Sequence, residues 1–193
     1  MLCGTLGASA PGAHAIRKAP ELPPLMVPAV EAGDVVFIAV DRAFWSRAAS
    51  RFSAHGFGHV GIAAHDEGGQ LLIVHAGGSP SAGDAPVLAV PAEIFAREAD
   101  RIAVYRPHAS VAERISAGRV ALDFVQAGAH FDAAFSLDTT DALYCSELVW
   151  RALSSALHRD IVPDKTWIVG LPGVSLADLE RSPTLELVND VHR

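Results

Sequence analysis

Leu143-Tyr144-Cys145-Ser146-Glu147-Leu148-Val149-Trp150 is the stretch on which the reading of this chain turns. Apolar residues recur at helical spacing through 144–158, which predicts an amphipathic helix with Cys145 in its first turn and Thr140 or Asp141 near its cap. A thiol there faces unpaired backbone N–H groups and the positive end of the helix dipole, which lowers its pKa toward the reactive thiolate. Cys145 is therefore a candidate nucleophile. The alternative is a buried structural cysteine, because free cysteine is among the most buried residue types. The flanking Tyr144 and Ser146, which are not aliphatic, favour chemistry. Glu147 lies two residues on, points to another face of the helix, and reads as a first-turn carboxylate serving the helix end.

A thiol nucleophile needs a base. His59 opens the segment His59-Val60-Gly61-Ile62-Ala63-Ala64, whose alternate residues Val60, Ile62 and Ala64 are apolar. His59, Gly61 and Ala63 then share the opposite strand face, and small residues beside a histidine leave room for another element to approach. Leu71-Leu72-Ile73-Val74-His75 follows after the turn segment Asp66-Glu67-Gly68-Gly69, so the two runs predict a β-hairpin. Folding it about Glu67 and Gly68 brings His75 within about one position of His59, at cross-strand distances of about 5 Å. A polar group that orients the base completes the nucleophile–base arrangement, and His75 can do so through a ring nitrogen. A satisfied core histidine at 59 and a strand-end histidine at 75 are the plainer alternatives. His55 and His65 nearby raise a rival, a histidine cluster for a metal such as zinc, although no spacing here matches a strong zinc motif.

Three further residues are candidates for shaping the site. Tyr144 can place its hydroxyl or backbone near an oxyanion, or simply pack. Asp132 can shape the site or cap a loop, and Gly58 precedes the histidine. Asp138 reads as a loop cap.

With 193 residues, half of them hydrophobic and 19% charged, the chain is long and apolar enough to bury one core without staples. A net charge of −7 with no Lys/Arg-rich stretch argues against nucleic acid as a partner. No apolar run approaches the length of a membrane span. Two cysteines, Cys3 and Cys145, make no disulfide framework. Residues 1–15 end in Ala13-His14-Ala15 and read either as a flexible tail or as a truncated export signal lacking its basic start. Residues 1–30 are set apart in this way from a single domain at 31–193.

Along the chain, 16–32 is Pro-rich and extended; 35–40 is a strand; 42–54 is helical. The stretch 77–86 is loop, 87–90 a strand, 91–99 a helical turn or two, 101–105 a strand and 110–128 a helix. Loops are expected at 129–143 and 163–172, and Ser175 caps a short helix to Arg181. Strands and helices segregate, which favours α+β over a doubly wound sheet.

Gly33-Asp34-Val35-Val36-Phe37, Gly58-His59-Val60-Gly61-Ile62, Phe131-Asp132 and Tyr144-Cys145-Ser146-Glu147-Leu148-Val149-Trp150 together resemble the permuted papain-like amidases of the YaeF/YiiX type, bacterial enzymes that are circularly permuted relatives of the NlpC-like cell-wall peptidases. The likeness extends over about residues 31 to 180. It implies a circularly permuted papain-like fold, with an antiparallel sheet packed on helices, Cys145 as nucleophile and His59 as base. The third polar residue of such enzymes, often Glu, falls here on His75, and the Gly58 position is often Ser. The implied chemistry is acyl transfer to water, needing no metal or organic cofactor, on a small peptide-like or lipid-linked amide. The same thiol could serve a lipid-directed acyltransferase or thioesterase, and a non-catalytic binding or metal-binding module is the reading from another class. The family's setting points to the cell envelope; oligomeric state is not legible.

Overall fold

The computed structural model describes residues 29–40, 44–77 and 85–192. The expected tail or leader, Cys3, and most of the 77–86 loop lie outside the described residues. Six antiparallel strands make the main sheet: β1 (Val35–Ala39), β2 (His59–His65), β3 (Leu71–Ala76), β4 (Val87–Pro91), β5 (Arg101–Pro107) and β10 (Leu185–His192). Their spatial order is β10-β5-β1-β2-β3-β4. β1 is buried along its whole length because both of its faces are covered, and its run of Val, Ile and Phe suits such a strand.

The larger apolar layer lies between one face of the sheet and two helices, α3 (Val111–Gln126) and α4 (Cys145–Ala156), and is centred on Val35, Phe37, Val60, Ile62, Val74, Leu148 and Leu153. On the other face Val36, Ile38, Ala63, Ile73 and Ile102 pack under the short helix α2 (Ala92–Phe95). Residues 44–52 form a short helix, α1 (Phe44–Ala49), followed by a 3-10 turn. A last helix, α5 (Leu176–Arg181), starts at Ser175, whose hydroxyl accepts the Asp178 N–H while the Asp178 carboxylate accepts the Ser175 N–H. This is the capping box that the sequence suggests.

The Gly33-Asp34 motif has a structural reason. Gly33 has φ 83°, and a Cβ there would stand 2.4 Å from the Arg114 carbonyl oxygen of α3. Asp34 is fully buried and takes a two-pronged contact from Arg106 of β5, at 2.8 and 2.7 Å, which fixes the start of the central strand.

Four expectations are corrected. The 129–143 segment, expected to be loop throughout, contains a small parallel pair, β6 (His130–Phe131) with β7 (Ala142–Leu143). The 163–172 segment, also expected to be loop, folds as a two-stranded hairpin, β8 (Thr166–Ile168) and β9 (Leu171–Gly173), turning at Val169-Gly170, both at positive φ. The C-terminal strand β10 was not expected at all. A bulge between Leu187 and Asn189 breaks its alternation, which hides a strand from a period-two reading. The cap of α4 is Tyr144, not Thr140 or Asp141.

Candidate active site

The β2–β3 ladder pairs Ile62 with Val74 and Ala63 with Ile73, one residue further along than a turn centred on Glu67 and Gly68 implies. Extending that register sets His75 opposite Gly61, two positions from His59 and on the same face of the sheet. The two rings meet across the gap: His59 Nε2 lies 3.0 Å from His75 Nδ1, with the ring planes at 86°. Gly61 makes this possible. A Cβ at that position would lie 2.5 Å from Ile73 Cγ2 and 3.3 Å from His75 Cβ, in the space the pair needs.

Cys145 is the first residue of α4, and its sulfur receives the backbone N–H of Val60, the residue next to His59. The N–H groups of Ser146 and Cys145 itself also point at the sulfur. The packing of α4 on β2 thus brings the thiol to the strand that begins with His59.

Electrostatics runs opposite to the expectation for Cys145. Burial pushes the thiol up to about 11, and the three N–H groups recover only part of that shift. The residue as a whole is only partly buried. Burial lowers His59 to about 3, with the nearby His75 adding to the effect, and burial alone lowers His75 to about 4. At neutral pH the resting site is a neutral thiol beside two neutral imidazoles. Desolvation thus outweighs the helix dipole here.

The other candidates are mostly structural anchors. The buried Tyr144 hydroxyl accepts the Val174 N–H at 2.8 Å. Asp132 accepts the N–H groups of Ala134 and Ser136 at 2.8 and 2.6 Å, a loop-capping role. Gly58 seats α1, since a Cβ there would lie 2.0 Å from Ser46 Oγ. Glu147, fully buried, accepts the Tyr144 N–H and pairs with Arg151 at 2.7 Å. Burial pushes its carboxyl up to about 7 against the pull of Arg151. Arg151 also donates to the carbonyls of Leu137 and Thr139, tying the preceding loop to the helix start.

His55 and His65 do not join the pair. His55 bonds to the buried Glu180 at 2.6 Å, and His65 is exposed at the far end of β2. Among the described residues no three His, Cys, Asp or Glu side chains gather as a metal-binding group. Among those residues, too, no helix is long and apolar enough to cross a membrane.

Sequence reasoning missed Phe95, whose ring packs on both histidines at 5.6 and 5.1 Å between centroids. It also missed Ser146, which donates to the Val174 carbonyl at 2.7 Å. With Tyr144, it ties both neighbours of the cysteine to the foot of the β8–β9 hairpin. A phenylalanine on a one-turn helix carries no sequence signal of such a role.

A search among curated proteins finds no match to the sequence. Among solved structures, the metalloprotein YiiX from Escherichia coli O157:H7 is similar in fold, with a TM-score of 0.67 at 20% identity, over 84% of this chain and 98% of that one. The residues described here do not build a metal centre, so no step is drawn through a metal. Residues 29–189 match the model of the permuted papain-like amidase enzymes, YaeF/YiiX, C92 family. The antiparallel sheet with its helices agrees with that fold, and the chain belongs to the permuted papain-like amidase family, a family of cysteine hydrolases.

Proposed function

We propose that the chain cleaves an amide bond in a small peptide-like substrate, with Cys145 as nucleophile, His59 as base and His75 as the group that orients the base. The observation that carries this reading is the 3.0 Å contact between His59 Nε2 and His75 Nδ1 beside a cysteine at a helix start. With Nε2 turned to His75, this reading assigns Nδ1 to the thiol. His59 then carries its resting proton on Nε2 and donates it to His75 Nδ1, which makes His75 the Nε2–H tautomer.

The chemistry follows from neutral partners. As sulfur bonds to the carbonyl carbon, the thiol proton passes to His59 Nδ1. The carbonyl oxygen becomes an oxyanion, held by the Cys145 N–H and the positive end of α4. Collapse breaks the C–N bond, and His59 returns its proton to the leaving amine. Water then attacks the thioester with His59 as base, releasing the acid and restoring the thiol. Nucleophile activation is coupled to attack, with no preformed thiolate.

A second reading, a lipid-linked amide or ester as substrate, is favoured by one observation. The β8–β9 hairpin exposes Trp167, Val169 and Leu171, and its foot is bonded to the residues on either side of Cys145. Hydrolysis rates that climb with acyl-chain length support that reading, and rates that ignore it support the polar amide.

The pH dependence of iodoacetamide alkylation in a Cys3→Ser background, with and without His59→Gln, tests the pair. We expect slow alkylation at neutral pH, an apparent pKa above the free value of about 8.5, and a further loss at neutral pH on His59→Gln. Equal rates in the two proteins across the pH range would remove His59 as the base.

A further inference from the structure

We propose that Phe95 is a positioning residue of the active centre, whose ring holds the His59–His75 pair in one mutual orientation and keeps water from it. The proposal rests on the reading of His59 as base. Three rings form a closed triangle: His59 to His75 at 5.1 Å, His59 to Phe95 at 5.6 Å and His75 to Phe95 at 5.1 Å. Each ring therefore touches the other two. The His59–His75 contact is near-perpendicular, whereas Phe95 lies tilted at 34° over His59 and presents an edge at 64° to His75. Edge-to-face packing of this kind is the favoured geometry of aromatic pairs.

The third side of the triangle is built, not incidental. Phe95 is buried at 8% exposure and belongs to the apolar layer under α2, with Ala92, Ala96 and Ala99 as its small neighbours. Gly77, two residues past His75 on the same edge, lies so close that a Cβ there would stand 3.0 Å from His75 Cε1. The imidazole of His75 is thus confined between Phe95, Gly77 and His59. Rotating it away from His59 runs into one of these walls.

Water exclusion follows from the same packing. Each histidine faces the other, and Cys145 at the start of α4 is bonded to Val60, the strand neighbour of His59. The charged residues of α2 and its C-terminal end, Glu93, Arg97 and Glu98, are exposed. What α2 turns to the pair is an apolar ring. Two imidazoles sharing one hydrogen bond have no fixed charge to hold their order, so an apolar wall is what keeps a water from inserting between Nε2 and Nδ1.

The test is imidazole titration by 15N-resolved NMR in the full chain, with Phe95→Ala, Phe95→Leu and Phe95→Tyr. We expect the His59 and His75 midpoints to rise by about one pH unit or more in Phe95→Ala as water reaches them. Phe95→Leu should give a smaller rise, and Phe95→Tyr, which keeps the ring, should restore the native midpoints and tautomers. If Phe95→Ala does not fold, Phe95→Leu carries the test. Native midpoints and tautomers in every folded variant overturn the proposal. Cys145 alkylation on the same samples separates the two levels. Loss of the His59→Gln effect in native Phe95 protein overturns the base assignment, whereas an intact His59→Gln effect with unmoved midpoints overturns only the role of Phe95.

Discussion

His59 Nε2 and His75 Nδ1 meet at 3.0 Å, so the group that meets the candidate base is an imidazole and not a carboxylate. A carboxylate in the position of His75 would stabilise an imidazolium on His59 by several kcal/mol in a buried site, whereas a neutral imidazole offers only a lone pair. Both rings are therefore neutral at neutral pH, and His59 is a weak base there. His75→Glu should therefore raise the His59 midpoint well above about 3, shift the alkylation profile of Cys145 toward lower pH, and increase the thiolate fraction at neutral pH. His75→Ala should leave the thiol high and slow turnover about tenfold or more through loss of the oriented tautomer. An alkylation profile that His75→Glu leaves in place would contradict this electrostatic account.

Acid should destabilise the protein through the same two rings. Their folded values, about 3 and about 4, lie below the ordinary 6.5. Between about 4 and 6.5 the unfolded chain therefore binds more protons than the folded one, so stability rises with pH across that window and is lost as pH falls through it. Each histidine contributes at most about 1.4 kcal/mol per pH unit, with His75 less because it is partly exposed. Denaturant midpoints at pH 7 and pH 4.5 check this. The His59→Gln/His75→Gln protein should show the flatter dependence, and an unchanged slope would remove the pair as its source.

Glycine at 58 and 61 is a steric requirement. A Cβ at 58 meets Ser46 Oγ at 2.0 Å and the Ser46 carbonyl at 2.6 Å, and one at 61 meets Ile73 Cγ2 at 2.5 Å. Gly58→Ala and Gly61→Ala should each cost about 1–3 kcal/mol by overpacking. Ser46→Gly should recover part of the Gly58→Ala loss, since the hydroxyl is the nearer obstacle, and Gly61→Ala should also part the histidines. Urea unfolding of the three single variants and the 46/58 double variant measures the coupling; additive losses would mean that Ser46 is not the neighbour that matters.

The cap of α4 depends on a buried ion pair. Arg151→Met leaves the fully buried Glu147 without its partner at 2.7 Å and should cost about 3–5 kcal/mol. Glu147→Gln/Arg151→Met should be milder than Arg151→Met alone, because no charge is then stranded. Equal losses in the two proteins would show that Arg151 acts through its bonds to the Leu137 and Thr139 carbonyls instead.

Much of the site was legible in local patterns. The hairpin that carries both histidines is marked by two apolar runs around Asp66-Glu67-Gly68-Gly69, and the helix start at Cys145 by its amphipathic period. The residues that escaped notice are those whose role depends on distant packing. β10 was hidden by its bulge, and the β8–β9 hairpin by a turn that puts Val169, a β-branched residue, at φ 50°. The sign of the thiol shift is not legible in sequence because the helix dipole is visible there, whereas the burial that overrides it comes from tertiary packing. Register was missed by one residue, which suffices to set Gly61 rather than Val60 opposite His75.

Burst release of p-nitrophenol from p-nitrophenyl acetate, with mass analysis of the acylated peptide, addresses the nucleophile and base most directly. In Cys3→Ser protein the account predicts about one equivalent released, with the acetyl group on the peptide carrying Cys145. The burst should vanish in Cys145→Ala and slow by about a hundredfold or more in His59→Gln, in line with general-base assistance. An undiminished burst in Cys145→Ala, or acetyl found on another residue, would contradict it.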